Sequence, residues 1–215
     1  MKKLVKIVTK VHLSTKRNYK ERMFNNKILS MQKARKFEYD YWDGDRNHGY
    51  GGYKYIPGKW TEVAKKLIKL YKLNEKSKVL DVGCGKGFLL YEIKKLIPKI
   101  EVSGFDISKY GIKNSKKEIK KYLYHHDARK KFPIKDKKFD LVFSINTLHN
   151  FRLPSLIFSL KEIERVSKKS FLLVEGYRNE KELFNLQCWA LTAESFFTDK
   201  EWRYIFKQAN YKGDY

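Results

Sequence analysis

The sequence predicts an α/β fold, a mostly parallel sheet with helices on both faces, and three observations predict it. Strand-like and helix-like patterns alternate from residue 61 to residue 177. A glycine-rich turn joins the first of those strands to a helix. Acidic residues recur at the ends of three successive strand patterns, the edge where open α/β sheets bind their ligands.

The elements follow in order. Thr61 to Leu73 carries Val63, Ala64, Leu67, Ile68 and Tyr71 at helical spacing, an amphipathic helix. Val79 to Gly83 is a short buried strand that runs into glycines, and Phe88 to Ile97 is a helix stopped near Pro98. Val102 to Ile107 is the second strand, with Ser108 placed to cap the helix after it. Tyr122 to Ala128 is a third, weaker strand, and Phe139 to Ile145 a fourth. Pro154 to Val166 repeats the helical period, and Ser170 to Tyr177 is the fifth strand. Asn179-Glu180-Lys181-Glu182 and Thr198-Asp199-Lys200-Glu201 are helix-start boxes, with an acid three residues after the cap. Leu4 to Leu13 fits both periods and leans to helix.

Composition bounds the rest. The 215 residues make one domain, with 42% apolar residues to bury, which excludes a disordered tail. Two cysteines, Cys84 and Cys188, build no disulfide framework and point to a reducing, cytoplasmic setting. No apolar run approaches the roughly 20 residues that span a bilayer. The start is basic, but lysines break its apolar stretch, so it makes a poor secretory signal. The net charge is +24, which invites an anionic partner. Of the basic residues 39 are Lys and 9 are Arg, spread along the chain. Lysine is the weaker bidentate reader of phosphates and bases, so nucleic acid is the less favoured partner.

The turn Asp81-Val82-Gly83-Cys84-Gly85-Lys86-Gly87 allows a sharp bend and close approach to a ligand. It is neither G-x-G-x-x-G, since Phe88 stands where the third glycine would be, nor a Walker phosphate loop. An acid two residues before the first glycine suits a cation, such as an ammonium or a sulfonium, better than a pyrophosphate. Asp106 ends the next strand, where a carboxylate can accept both hydroxyls of a ribose. Asp127, followed by Ala128, ends the third and can accept from an adenine amino group.

This set resembles the class I S-adenosylmethionine-dependent methyltransferases. Asp81 to Gly87 matches their glycine motif, Asp106 their ribose acid, Asp127 their adenine-side acid, and Phe139 to Asn146 their fourth motif. The match covers residues 61–177. The stretch Tyr41 to Trp60 resembles an uncharacterised bacterial subgroup of the class. The resemblance implies a Rossmann-like sheet and S-adenosyl-L-methionine as cofactor, leaving as S-adenosyl-L-homocysteine. The residues it implies are Asp81, Gly83, Cys84, Gly85, Gly87, Asp106, Ile107, Asp127, Ala128 and Asn146, with no metal. Cys84 is a small loop residue rather than a nucleophile, because no base accompanies it.

The methyl acceptor is expected over the carboxyl edge of the sheet. Ser144, Asn146, His149 and Asn150 follow the fourth strand; Glu175, Tyr177 and Arg178 follow the fifth. His149 is a candidate general base, or else a capping or packing histidine. Positioning can supply most of the acceleration of a sulfonium displacement, so a dedicated base is not required. Tyr39 to Tyr55 mixes aromatics, charges and glycines without period and reads as a lid. Arg46 and His48 are its polar candidates, Tyr50, Tyr53 and Trp60 its aromatic ones. The catalytic candidates are therefore His149, His48 and Tyr53. Residues 1–60 form the lid segment and residues 61–215 the cofactor-binding domain.

The class usually ends in an antiparallel hairpin beside the fifth strand, and the sequence after about Ala209 leaves no room for one. Either the chain is truncated, or the fifth strand is an edge to be covered by the N-terminal segment or a second copy. The chain is then a monomer or a homodimer. The leading function is methylation of an O or N atom of a small molecule, a sugar or metabolite. The alternatives are an RNA methyltransferase and a non-catalytic cofactor-binding scaffold.

Overall fold

The computed structural model describes residues 4–7 and 17–215. The N-terminal part holds α1 (Tyr19–Phe24), α2 (Lys27–Ala34), α3 (Tyr39–Trp42) and a 3-10 turn at Arg46–His48. Then follow α4 (Thr61–Tyr71), β1 (Lys78–Val82), α5 (Phe88–Leu96), β2 (Glu101–Asp106), α6 (Lys109–Lys113), α7 (Lys117–Lys120) and β3 (Leu123–His125). The last third holds β4 (Phe139–Ile145), a 3-10 turn at Leu148–Asn150, α8 (Leu153–Val166) and β5 (Ser167–Leu173). It ends with β6 (Gly176–Tyr177), α9 (Glu180–Trp189), β7 (Phe197–Thr198) and α10 (Asp199–Gln208).

Strands β1 to β5 form one sheet in the order β3-β2-β1-β4-β5, and every pairing is parallel. The expected mostly parallel α/β sheet is the one observed. Its two faces follow from the period of two along each strand. Val79, Leu141, Phe143 and Phe171 pack toward α4 and α5, with Val63, Ala64, Leu67, Leu90 and Ile93. Leu80, Val82, Val142 and Leu172 pack toward α8 and α10, with Leu156, Leu160, Ile163, Trp202 and Phe206. The helix caps read from sequence form as expected. Ser108 Oγ accepts from the Gly111 amide, Asn179 Oδ1 from the Glu182 amide, and Thr198 and Glu201 close a reciprocal box.

Three expectations are corrected. The third strand is shorter than Tyr122 to Ala128. The fifth starts three residues earlier and leaves the sheet at Leu173, so that Val174 and Glu175 run out over the carboxyl edge. Gly176–Tyr177 then pairs with Phe197–Thr198 in a separate two-stranded parallel ribbon. Leu4–Ile7 is not helical, and the rest of the predicted N-terminal helix lies outside the described residues.

The outer edge of β5 is covered by the chain itself. The Leu172 amide donates to Asp214 O, the Asp214 amide to Ser170 O, and the Val5 amide to Tyr215 O. Gly213 is required there, since a Cβ would lie 2.2 Å from Ser170 Oγ. A single parallel bridge of Asp214 on Phe171, with Val5 beside it, covers this part of the edge. Among the described residues no helix is long and apolar enough to cross a membrane.

Candidate active site

The turn after β1 is held from within. The Gly83 and Cys84 amides both donate to Phe105 O, at 2.9 and 3.1 Å. The Gly85 amide donates to Asp106 Oδ2 at 2.7 Å, and the Gly87 amide to Cys84 O. These N–H groups are spent inside the protein, so the turn is no phosphate nest. Gly83 and Gly85 sit at φ +79° and +56°, and each lies against a side chain. A Cβ on Gly83 would meet Thr147 Oγ1 at 2.2 Å, and one on Gly85 the Trp42 ring at 2.6 Å. Gly87 starts α5 at φ +68°, packed near Leu123 and Ile119 rather than along the cavity.

That cavity, of about 600 Å³, opens over the carboxyl edge of the sheet. Parallel pairing brings its acids together. Asp81 lies opposite Gly104 of β2, and Asp106 opposite His125 of β3. Asp81 is 5% exposed, and among the described residues it has no cationic side chain paired with it. Burial, then the Asp106 charge, push its carboxyl well above the usual carboxylate range. Burial also raises Asp106, although the Ser108 and Gly85 amides bind its two oxygens and pull it back. Asp127 lines the same cavity and is forked by Arg129, with Nε and Nη2 on its two oxygens. Burial alone would raise Asp127; the Arg129 hydrogen bonds and charge outweigh it and hold the carboxyl below its usual range. Ile107, Ala128, Cys84 and Asn146 line the wall as well. Burial and the two nearby acids drive the Cys84 thiol well above its usual range, so it is no thiolate at neutral pH.

Residues 37–60 close over this floor. Glu38 accepts from the Lys109 and Tyr110 amides at the start of α6. Trp42 Nε1 donates to Ser108 Oγ at 2.8 Å, which seats the indole on Gly85. Asp43 takes Lys86 Nζ on both oxygens, the Tyr110 hydroxyl and the Tyr53 amide. Lys86 thus ties the glycine turn to the cap through a largely buried ion pair. Tyr41, Trp42, Tyr50 and Tyr53 pack ring on ring, and Tyr53 stacks on Phe88 of α5. Tyr50 is 41% accessible although it lies deep in the fold, because its open side faces the cavity.

The three catalytic candidates separate. Tyr53 lines the cavity; burial and the Tyr50 and Asp81 groups push its phenol up, and a Trp60 hydrogen bond opposes them. His149 lines it too, 7% exposed, with burial lowering its imidazole and the Glu175 charge opposing. The Glu175 amide points at His149 Nδ1 across 3.4 Å, which favours the tautomer with its proton on Nε2. His48 is not in the cavity lining. Its ring is turned to α2, with Lys33 Nζ at 3.0 Å from Nε2 and Ser30 Oγ at 3.3 Å from Nδ1.

Asn150, expected near the acceptor, lines the cavity with its Oδ1 buried and without a hydrogen-bond partner. Several other lining residues escaped the sequence reading. His126 lines the cavity too, and its Nε2 is likewise buried without a partner. His126 stands directly before Asp127, a signal that was present but unspecific. Trp189 and Thr192, from and after α9, close the far wall. Nothing local marks them, because α9 reaches the site by packing on α1, some 160 residues earlier.

Comparison with known proteins agrees with this geometry. The family model described as a methyltransferase domain matches residues 73–210. A demethylmenaquinone methyltransferase from Chlorobaculum parvum is 32% identical over 114 residues, 53% of this chain and 46% of that protein. A tRNA U34 carboxymethyltransferase from Nautilia profundicola is 31% identical over 117 residues, 51% of this chain and 37% of that protein. The chain spans half or less of the length of the curated relatives it matches. The YcgJ protein of Bacillus subtilis superposes with a TM-score of 0.56 at 18% identity, over 68% of this chain and 66% of that one, a likeness of fold.

Proposed function

The chain belongs to the methyltransferase-domain family of class I S-adenosylmethionine-dependent enzymes, and from that premise we propose that it methylates an oxygen or nitrogen of a small molecule. The observation that carries the cofactor assignment is Asp81, a buried acid that lines the cavity beside a second acid and, among the described residues, has no cationic side chain paired with it. Its ionised form is disfavoured until a counter-charge arrives, and a ligand with an ammonium and a sulfonium supplies one. The cavity volume lies within the range of small-molecule sites.

When bound, S-adenosylmethionine supplies an activated methyl group on a positively charged sulfur. Asp81 holds the amino-acid end, and Asp106 offers its remaining lone pairs to the ribose hydroxyls. Ile107 and Ala128 flank the base, with Asp127 and His126 at its polar edge. Asn146, on a left-handed turn after β4, and His149 form the wall toward the acceptor. Tyr53, Tyr50 and Trp42 exclude water and present aromatic faces, which attract a cation. In the favoured tautomer His149 Nε2 donates, so it orients the acceptor atom, and positioning carries the acceleration. The acceptor oxygen or nitrogen would be held by His149 and Asn146 in line with the activated methyl group, and its proton would pass to solvent through the open mouth of the cavity. His48 has no part in this scheme, and neither does Gly87 beyond shaping the turn.

A second reading is favoured by the net charge of +24 and by a relative named for tRNA: methyl transfer to RNA. The cap supports the small-molecule reading, because residues 37–60 close over the floor where an RNA base would have to enter. Calorimetric titration with S-adenosylmethionine and S-adenosylhomocysteine tests the cofactor assignment. Micromolar binding, weakened at least a hundredfold by Asp106→Ala, is the expected result. A folded chain that binds neither would end the enzyme reading.

A further inference from the structure

The arginines of this chain divide sharply. Of the nine, Arg35, Arg129, Arg152, Arg165, Arg178 and Arg203 each form an ion pair with a carboxylate. Arg17, Arg22 and Arg46 do not, among the described residues. All three line the cavity. All three gather on one side chain: their guanidinium carbons lie 5.3, 4.8 and 5.5 Å from the centre of the Trp189 ring.

Chance placement of surface charge does not give this arrangement. Like charges repel, and each guanidinium could have turned to open water instead. Arg22 Nη1 donates to Arg46 O at 2.6 Å, which locks the two together, while Arg22 Nε is buried without any acceptor. Burial and the Arg46 charge pull the Arg22 guanidinium down to about 10; Asp45, at longer range, opposes them. Lys27 adds a fourth cation, bound to the Cys188 and Ala190 carbonyls at the end of α9. Arg46 Nη1 donates to the Gly49 carbonyl, but among the described residues none of the three guanidiniums is paired with a carboxylate.

We propose that Arg17, Arg22 and Arg46, stacked on Trp189, bind a phosphate or diphosphate group carried by the small-molecule methyl acceptor. The inference rests on the methyltransferase reading for the word acceptor, but the anion site stands on its own geometry. Three guanidinium forks suit a group with two or more charges and many oxygens, whereas a single carboxylate neutralises only one of them. The acids come from the sheet and the cations from the cap and α9. The cavity can therefore hold a cationic cofactor on its floor and an anionic acceptor against its outer wall.

The test is calorimetric titration of the full chain with inorganic pyrophosphate, with malonate as the carboxylate control and S-adenosylhomocysteine titrated separately. Pyrophosphate is expected to bind at least tenfold more tightly than malonate. Arg22→Gln and Arg46→Gln are each expected to weaken it at least tenfold and to change S-adenosylhomocysteine affinity less than twofold. Arg46 is exposed, so its variant reports even if Arg22→Gln fails to fold. Pyrophosphate binding that both substitutions leave unchanged would overturn the site, and malonate binding as tight as pyrophosphate would overturn the phosphate class. A twelve-nucleotide RNA that binds through these arginines where pyrophosphate does not would overturn the small-molecule assignment. Loss of S-adenosylhomocysteine binding with pyrophosphate binding intact would support the anion site and count against the methyltransferase reading alone.

Discussion

The Asp81 carboxyl is buried, close enough to Asp106 to feel its charge, and its ionised form is disfavoured in the ligand-free protein. Two predictions follow the sign of that shift. With a folded-state pKa above the unfolded one, Asp81 contributes stability below the unfolded value near 3.9 and loses it as pH rises through the folded value. Asp81→Asn should therefore raise the melting temperature of the ligand-free protein at pH 7, about 2–4 °C for each kcal/mol of burial penalty removed. The same variant should weaken S-adenosylhomocysteine binding at least a hundredfold. A melting temperature that falls would show that Asp81 is satisfied within the fold. Cofactor affinity should also decline on acidification at a pH above the ordinary carboxylate range, as Asp81 takes up its proton; calorimetry from pH 5 to 8 follows it. At this scale the sequence was informative where chemistry sits at strand ends. Asp81 and Asp106 were legible because a strand pattern fixes which residue reaches the carboxyl edge, and Asp127 because it follows the end of β3 by two residues. Arg46 stood out only as a polar residue of the lid; its meeting with Arg22 and Trp189 was not legible, because it depends on long-range packing that no local spacing records.

Between cap and floor the coupling runs through a few contacts. Lys86 is nearly buried, and Asp43 gathers it with Tyr110 and the Tyr53 amide. Burial alone would raise the Asp43 carboxyl; hydrogen bonds from Lys86, Tyr110 and the Tyr53 amide, with the Lys86 charge, hold it lower instead. Its contribution is present above the unfolded pKa and is lost as pH falls through the folded one. Asp43→Ala strands the Lys86 ammonium and should cost about 3–5 kcal/mol, read by urea unfolding. A loss under 1 kcal/mol would mean that the cap is not anchored there. Gly85→Ala drives a methyl into Trp42 from a backbone at φ +56°. It should cost about 1–3 kcal/mol and unseat the indole, seen as a red shift of tryptophan fluorescence. Most elements were legible from period and caps. The misplacements have physical causes: β5 starts early at polar Ser167-Lys168-Lys169, and α9 reaches the cavity through Trp189 by packing on α1, which no local pattern records.

At the scale of the whole molecule, the net charge of +24 is mostly lysine on exposed faces, and arginine is the informative part of it. Six arginines are committed to carboxylates, and the other three converge on one wall of the cavity. At Phe171 the edge of β5 is bridged by the chain's own Asp214, with the Val5 amide donating to Tyr215. Sequence reasoning identified the outer edge of β5 as a place that needs cover. It did not identify the cover, because one bridge of two hydrogen bonds leaves no strand pattern. The central claim is that the floor of this cavity holds S-adenosylmethionine by its acids. A crystal structure of the chain with S-adenosylhomocysteine tests it most directly. The account predicts ribose hydroxyls within hydrogen-bond distance of Asp106, the amino-acid end at Asp81 and the sulfur directed toward Asn146 and His149. A ligand bound elsewhere, or a cavity that stays empty at saturating S-adenosylhomocysteine, would contradict it.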